Sequence, residues 1–126
     1  MKKVLSVLSV LILSGAIVAT AAASRRTYIV GTKYVSGMGT VGSFKGTVKK
    51  PYKIILYCEG ASARCAMDVT CVRGTKTFTQ SRSGLTPGTW NVKKPTWYQL
   101  DSCRFTATIK SGARNARVTV QATVRS

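Results

Sequence analysis

Apolar and polar side chains alternate with a period of two over much of the chain after residue 26, and helical periodicity is absent there. The clearest case is 116–125, where Ala and Val occupy one face and Arg, Thr and Gln occupy the other. Thr, Val, Tyr and Ile, which are common in strands, are abundant. The pattern therefore predicts an all-β domain whose strands turn one face to a core and the other to solvent.

About seven or eight short strands separated by Gly and Pro turns are predicted, which is typical of a β-sandwich of immunoglobulin-like architecture, whatever the strand order. We expect 103–110 and 116–125 to pair as one antiparallel hairpin, and 52–59 and 67–72 to pair as a second. The alternation before 103 reaches back to Trp97 with less regularity. Weaker strands are predicted at 27–35, 41–48, 75–81 and 89–92.

The first 23 residues have the composition of a secretory signal peptide. Lys2 and Lys3 precede an apolar run of about 15 residues, and an Ala-rich segment ending at Ala23 provides an A-x-A cleavage site. A run this short is a poor membrane anchor, and no later run could span a membrane. We therefore expect a signal peptide over 1–23 and a single secreted domain over 24–126, extracellular or periplasmic if the source has an outer membrane.

An exported protein meets an oxidising compartment, where cysteines form disulfides. We therefore expect two disulfides that stabilise a small domain, formed by Cys58, Cys65, Cys71 and Cys103. If 65–71 is one strand, its ends lie about 20 Å apart and cannot bond. The compatible pairings are then 58–65 with 71–103, or 58–71 with 65–103; 58–103 survives only if 65–71 is a loop. We favour the first, with 58–65 clamping a hairpin mouth and 71–103 bridging the core.

Basic residues greatly outnumber acidic ones. The 126-residue chain has 20 Lys and Arg against 3 Asp and Glu, for a formal net charge of +17. Loss of Lys2 and Lys3 with the signal peptide leaves 18 basic residues and a net charge of +15 on 103 residues. This exceeds what solubility requires and predicts attraction to anionic partners.

Little catalytic chemistry is open to the chain. It contains no His, which removes the commonest general base and metal ligand, and Glu59, Asp68 and Asp101 are its only carboxylate side chains. The cysteine spacings lack the paired C-x2-C knuckles of a zinc site. The sequence predicts a protein that is not an enzyme and has neither a cofactor nor a metal.

Candidate binding residues are basic groups with aromatic neighbours, since cations neutralise phosphate or carboxylate groups and rings stack on sugars or bases. One predicted group is a stripe across the C-terminal hairpin. The other follows a repeated V-K-K-P tetrapeptide, at 48–51 and 92–95, with aromatic residues after each copy. The predicted binding residues are Lys49, Lys50, Lys93, Lys94, Trp97, Tyr98, Arg104, Lys110, Arg114, Arg117 and Arg125.

The function predicted first is a cationic binding domain that adsorbs to an anionic polymer or surface outside the cell. Cell-wall polymer, acidic polysaccharide, anionic lipid and nucleic acid are the candidate partners, and an antimicrobial role falls within this class. The alternative is a secreted inhibitor of a hydrolase, whose partner would be a target enzyme and whose inhibitory loop would be 82–88, with its Pro-Gly turn. A third class is a structural component that assembles through exposed strand edges.

Overall fold

A computed structural model of the protein describes residues 24–93 and 96–126. The predicted signal peptide lies outside the described residues, as do Lys94 and Pro95. The described residues form eight β-strands and one short 3₁₀ helix. In chain order these are β1 (Arg25–Val35), β2 (Val41–Lys49), β3 (Pro51–Glu59), β4 (Arg64–Arg73), β5 (Lys76–Leu85), β6 (Gly88–Asn91), the 3₁₀ helix (Trp97–Gln99), β7 (Ser102–Lys110) and β8 (Ala116–Arg125).

The strands form two antiparallel sheets of four, in the orders β1-β8-β3-β6 and β2-β7-β4-β5. The inward side chains of both sheets meet in one core, where Ile54 and Leu56 from the first sheet and Met67 and Ile109 from the second are fully buried. In β8 every second residue is buried along the whole strand, as the alternation requires. The predicted all-β sandwich with two disulfides is confirmed.

Within the described residues, the chain changes sheet at every connection except that between β4 and β5. This strand order is that of a jelly roll, in which two Greek keys close a double sheet. The two predicted hairpins are therefore wrong: β3 and β4 lie in different sheets, and so do β7 and β8. Alternation tells which face of a strand is buried, but two strands that face one core from opposite sheets alternate in the same way as a hairpin.

The favoured cysteine pairing is present, but the two bridges have exchanged roles. Cys58–Cys65 links β3 to β4 across the two sheets, with 6.0 Å between the Cα atoms. Cys71–Cys103 links directly opposite residues of the neighbouring strands β4 and β7, within one sheet. The bridge expected at a hairpin mouth thus ties the sheets together, because the strands it joins are not a hairpin.

Strand direction decides which residues share an end of the sandwich. Every paired strand is antiparallel to its partner, and the short connections between sheets also reverse the chain. The starts of β1, β3, β5 and β7 therefore lie at the same end as the finishes of β2, β4, β6 and β8.

Candidate functional site

One end of the sandwich, where β1 and β3 start and β2 and β8 finish, gathers half of the basic residues of 24–126. We call it the basic end. Its one acidic residue among those described is Asp101. The described basic residues that define it are Arg25, Arg26, Lys49, Lys50, Lys53, Arg73, Lys76, Lys93 and Arg125.

The first V-K-K-P copy, at 48–51, lies at the middle of this end, where it forms the corner between β2 and β3; we call the two copies the V-K-K-P corners. Lys50 alone connects β2 to β3, and its backbone has a φ of 51°. Its N–H donates to the carbonyl of Asp101 at 2.8 Å, and its carbonyl accepts from the N–H of Arg125 at 2.8 Å. Lys49 and Lys50 are both exposed. The fixed backbone thus holds two adjacent ammonium groups in solvent between the ends of β7 and β8.

Val92 and Lys93, the described residues of the second V-K-K-P copy, follow β6 and lie at the same end. The Lys93 backbone exchanges two hydrogen bonds with the side-chain amide of Gln80 on β5, at 3.1 and 3.3 Å. In the 3₁₀ helix that follows, Trp97 packs partly buried against the core, whereas Tyr98 is 63% exposed. The alternation that reaches back to Trp97 does not correspond to a strand there, because Trp97–Gln99 is a 3₁₀ helix.

Two arginines fasten the segment that presents Tyr98. The Arg125 guanidinium donates to the carbonyls of Tyr98 and Leu100, and the Arg73 guanidinium donates to Oε1 of Gln99. These are charge-assisted hydrogen bonds, which are the stronger class. They hold the aromatic ring at the basic end while their own charges remain there.

Asp101, the carboxylate at this end, forms no ion pair with any described cation. Oδ2 of Asp101 accepts from the backbone N–H of Gly74, at 2.7 Å, in the turn between β4 and β5. The Asp101 backbone also donates to the carbonyl of Val72. Asp101 therefore fixes the turn that displays Arg73 and Lys76.

Aromatic rings lie beside cations here as well. The guanidinium carbon of Arg25 is 3.6 Å from the ring centroid of Tyr52, and that of Arg26 is 5.3 Å from the centroid of Tyr28. Stacking against a ring fixes the direction of a guanidinium group and leaves its N–H edge free to bind an anion. The basic end combines ordered arginines, exposed lysines and an exposed tyrosine.

The predicted binding residues divide between the two ends. Lys49, Lys50, Lys93, Trp97, Tyr98 and Arg125 lie at the basic end, and Arg104 faces outward two residues inside β7 from that end. Lys94 lies outside the described residues. Lys110, Arg114 and Arg117 belong to the opposite end.

The predicted stripe across the C-terminal strands does not exist. Because β7 and β8 lie in different sheets, Arg104 and Lys110 point away from one face of the sandwich, whereas Arg117 and Arg125 point away from the other. Arg117 is further occupied by Glu59, which accepts from its Nε and Nη2. A hydrogen bond to the Tyr34 hydroxyl, together with Glu59, raises the pKa of Arg117 above its ordinary value.

Five basic residues of this end were missed by the sequence analysis: Arg25, Arg26, Lys53, Arg73 and Lys76. Each stands within three residues of a strand end. Strand direction was the available signal, since consecutive strands of an antiparallel sandwich reverse, and the starts of odd strands then join the finishes of even ones.

The segment considered as an inhibitory loop is mostly strand. Residues 82–85 finish β5, where Cys65 pairs with Leu85, and Thr86 and Pro87 alone connect it to β6. Arg82 lies over the Trp90 ring, 5.5 Å from its centroid. A rigid loop projecting into an enzyme pocket is absent from this part of the structure.

In the described part of the chain, no group of three or more His, Cys, Asp or Glu residues is placed to hold a metal ion. No helix over 24–93 or 96–126 is long and apolar enough to cross a membrane.

No protein-family model matches the chain, and no curated protein matches it either. Similar solved structures include the C-terminal domain of a structural protein from Sulfolobus turreted icosahedral virus, with 11% identity, a TM-score of 0.46, and 77% of this chain and 98% of that chain covered. The Yersinia pseudotuberculosis-derived mitogen has 12% identity and a TM-score of 0.42, over 81% and 86% of the two chains. TmCBM61, in complex with β-1,4-galactotriose, has 10% identity and a TM-score of 0.41, over 82% and 90%. Each likeness is distant and assigns no function to this chain.

Proposed function

We propose that the protein is a secreted, non-enzymatic binding domain that adsorbs to an anionic polymer outside the cell through its basic end. The observation that supports this most is the distribution of charge: nine described basic residues share one end with a single carboxylate, Asp101. Charge needed only for solubility would be spread over the surface. Charge gathered at one end, against the self-repulsion it brings, favours a partner there.

The geometry suits a polymer better than a small anion. The cations come from six strand ends and two connections, so they cover the whole end rather than converge on one point. A chain of sulfate, phosphate or carboxylate groups would meet several of them at once, releasing its counterions. The exposed Tyr98 ring offers a stacking surface for a sugar or base beside the charges.

Secretion is part of this proposal and draws on two independent features. The first 23 residues have a signal-peptide pattern. Both disulfides, Cys58–Cys65 and Cys71–Cys103, suit an oxidising compartment. Cell envelopes and secreted polysaccharides are rich in anionic groups, and an antimicrobial role that begins with adsorption to a competitor's envelope falls within this proposal.

The proposal is tested by measuring the affinity of the purified 24–126 protein for heparin as a function of salt. We expect the affinity to fall by orders of magnitude between about 50 and 200 mM salt, because several ionic contacts break together. Affinity for an uncharged polysaccharide such as dextran should be absent at every salt concentration. Heparin binding that does not change with salt, or no binding at low salt, would contradict the proposal.

A further inference from the structure

A groove lies on the outer face of the second sheet, away from the ends of the sandwich. It encloses about 450 Å³ and is open to solvent along its length. Threonine side chains and charged side chains line it together. The outward side chains that line it are Lys45, Thr47, Asp68, Thr70, Arg104 and Thr106.

Strand register explains why these side chains meet. Lys45, Thr106 and Asp68 form one row across β2, β7 and β4, and Thr47, Arg104 and Thr70 form the next. Neighbouring strands are about 4.8 Å apart, which places Lys45 and Asp68 about 10 Å apart on opposite sides of the groove. Lys45 therefore stands on one side of the groove and Asp68 on the other, and Arg104 lies on the strand between them, next to Thr106 on the same face of β7.

Asp68 differs from the other two carboxylates. Glu59 is paired with Arg117, and Asp101 accepts a backbone hydrogen bond from Gly74. Asp68 is exposed and has no side-chain hydrogen bond or ion pair to any described residue. A free carboxylate repels a simple polyanion, so its place beside Lys45 and Arg104 favours a ligand that also brings hydrogen-bond donors.

We propose that this groove holds one unit of an acidic saccharide. The carboxylate or sulfate of the unit lies against Lys45 and Arg104, and its ring hydroxyls donate to Asp68 and bond with the threonine hydroxyls. This inference rests on the proposed function and names the class of its polymer: a polysaccharide that alternates anionic groups with hydroxyl donors, rather than a nucleic acid.

A row of cations leads from the basic end to the groove. Lys49 lies on the same face of β2 as Lys45, four residues or about 13 Å away, and Arg104 stands between them on β7, opposite Thr47. A polysaccharide chain bound at the basic end can follow these three cations along the sheet and place a unit in the groove.

The variant Asp68→Asn tests whether the carboxylate binds a saccharide or only repels anions. The first role predicts weaker binding of the saccharide in the variant, and the second predicts tighter binding of every anion. The probes are oligogalacturonate and a heparin oligosaccharide, both with hydroxyl groups, and inorganic polyphosphate, which has none. We expect Asp68→Asn to weaken binding of at least one saccharide about tenfold, because it removes a charged acceptor, and to tighten binding of polyphosphate, because it removes a repulsive charge. Which saccharide responds shows whether the acidic group is a carboxylate or a sulfate.

Glu59→Gln is the matched control, since it removes the same charge at the opposite end and leaves the groove intact. It should tighten all three probes slightly. Thr106→Val removes a groove hydroxyl without changing charge. It should weaken binding of the saccharide that responds to Asp68→Asn and leave binding of polyphosphate unchanged. If Asp68→Asn behaves like Glu59→Gln with every probe, the groove is not a saccharide site, although salt-dependent heparin binding would leave the basic end standing.

Nucleic acid is the competing ligand in the same experiment. A duplex DNA of matched charge should respond to Asp68→Asn as polyphosphate does, with tighter binding. If Asp68→Asn and Thr106→Val weaken DNA and leave both saccharides unchanged, the groove belongs to nucleic acid and the inference is overturned.

Discussion

Lys50 occupies a backbone conformation that glycine usually occupies, with a φ of 51° at the only residue between β2 and β3. A side chain is strained there, yet the residue is a lysine, exposed at the centre of the basic end. Strain kept at a position where glycine would fit points to a role for the side chain. We assign that role to the positive charge of the lysine.

Replacing Lys50 by glycine should separate stability from binding. We expect Lys50→Gly to raise the free energy of unfolding by about 0.5–1 kcal/mol, because the strain exceeds the entropy that glycine adds to the unfolded chain. Affinity for heparin should fall. Lys49→Gly is the control: it removes the same charge from a strand position and should lower stability. Urea denaturation measures the free energy of unfolding of the two variants. A loss of stability in Lys50→Gly would show that the Lys50 backbone is not strained.

At the scale of elements, the segment between β6 and β7 matters most, because it carries Lys93 and Tyr98, and its described residues contain only one short 3₁₀ helix. It is held by Gln80, by Arg73 and by Arg125, whose guanidinium reaches two of its carbonyls from the finish of β8. Arg125 is half-buried, and its Nη1 and Nη2 already donate to protein carbonyls, whereas its buried Nε has no hydrogen-bond partner among the described residues. Its main contribution to binding is therefore to position Tyr98.

Arg125→Gln should lower the free energy of unfolding by about 1–3 kcal/mol, since charged hydrogen bonds to carbonyls are lost at a half-buried site. Fluorescence of Trp97, which packs in the same segment, should shift as its environment opens. Arg117→Gln removes the same charge from an exposed ion pair and should have a much smaller effect. Equal losses of stability in the two variants would show that Arg125 does not anchor the segment.

The sequence predicted which residues form strands and which face of each strand is buried. The strand at 116–125 and the buried positions of β3 and β4 follow from alternation. The length of 65–71 excluded a bridge between Cys65 and Cys71 and left two pairings, of which the favoured one is present. Partners were not predictable, because β7 and β8 alternate alike whether they share a sheet or face each other across a core. That ambiguity produced the false stripe of Arg104, Lys110, Arg114, Arg117 and Arg125.

For the whole molecule, the decisive property is that positive charge is distributed unequally between the two ends of the sandwich. The basic end has nine described cations and one carboxylate, whereas the opposite end has Lys33, Arg64, Lys110, Arg114 and Arg117, the last paired with Glu59. The V-K-K-P corners pointed to the basic end from sequence. Its extent became visible only from the direction of all eight strands, which no local pattern contains.

Two triple variants of equal charge test this division most directly. Lys49→Gln, Lys76→Gln and Lys93→Gln together remove three exposed cations from the basic end; Lys33→Gln, Lys110→Gln and Arg114→Gln remove three from the other. At the same salt concentration, the first variant should bind heparin at least about tenfold more weakly than the native protein, and the second no more than about threefold more weakly. Equal losses in the two variants would show that heparin responds to net charge alone, and would contradict a binding site at the basic end.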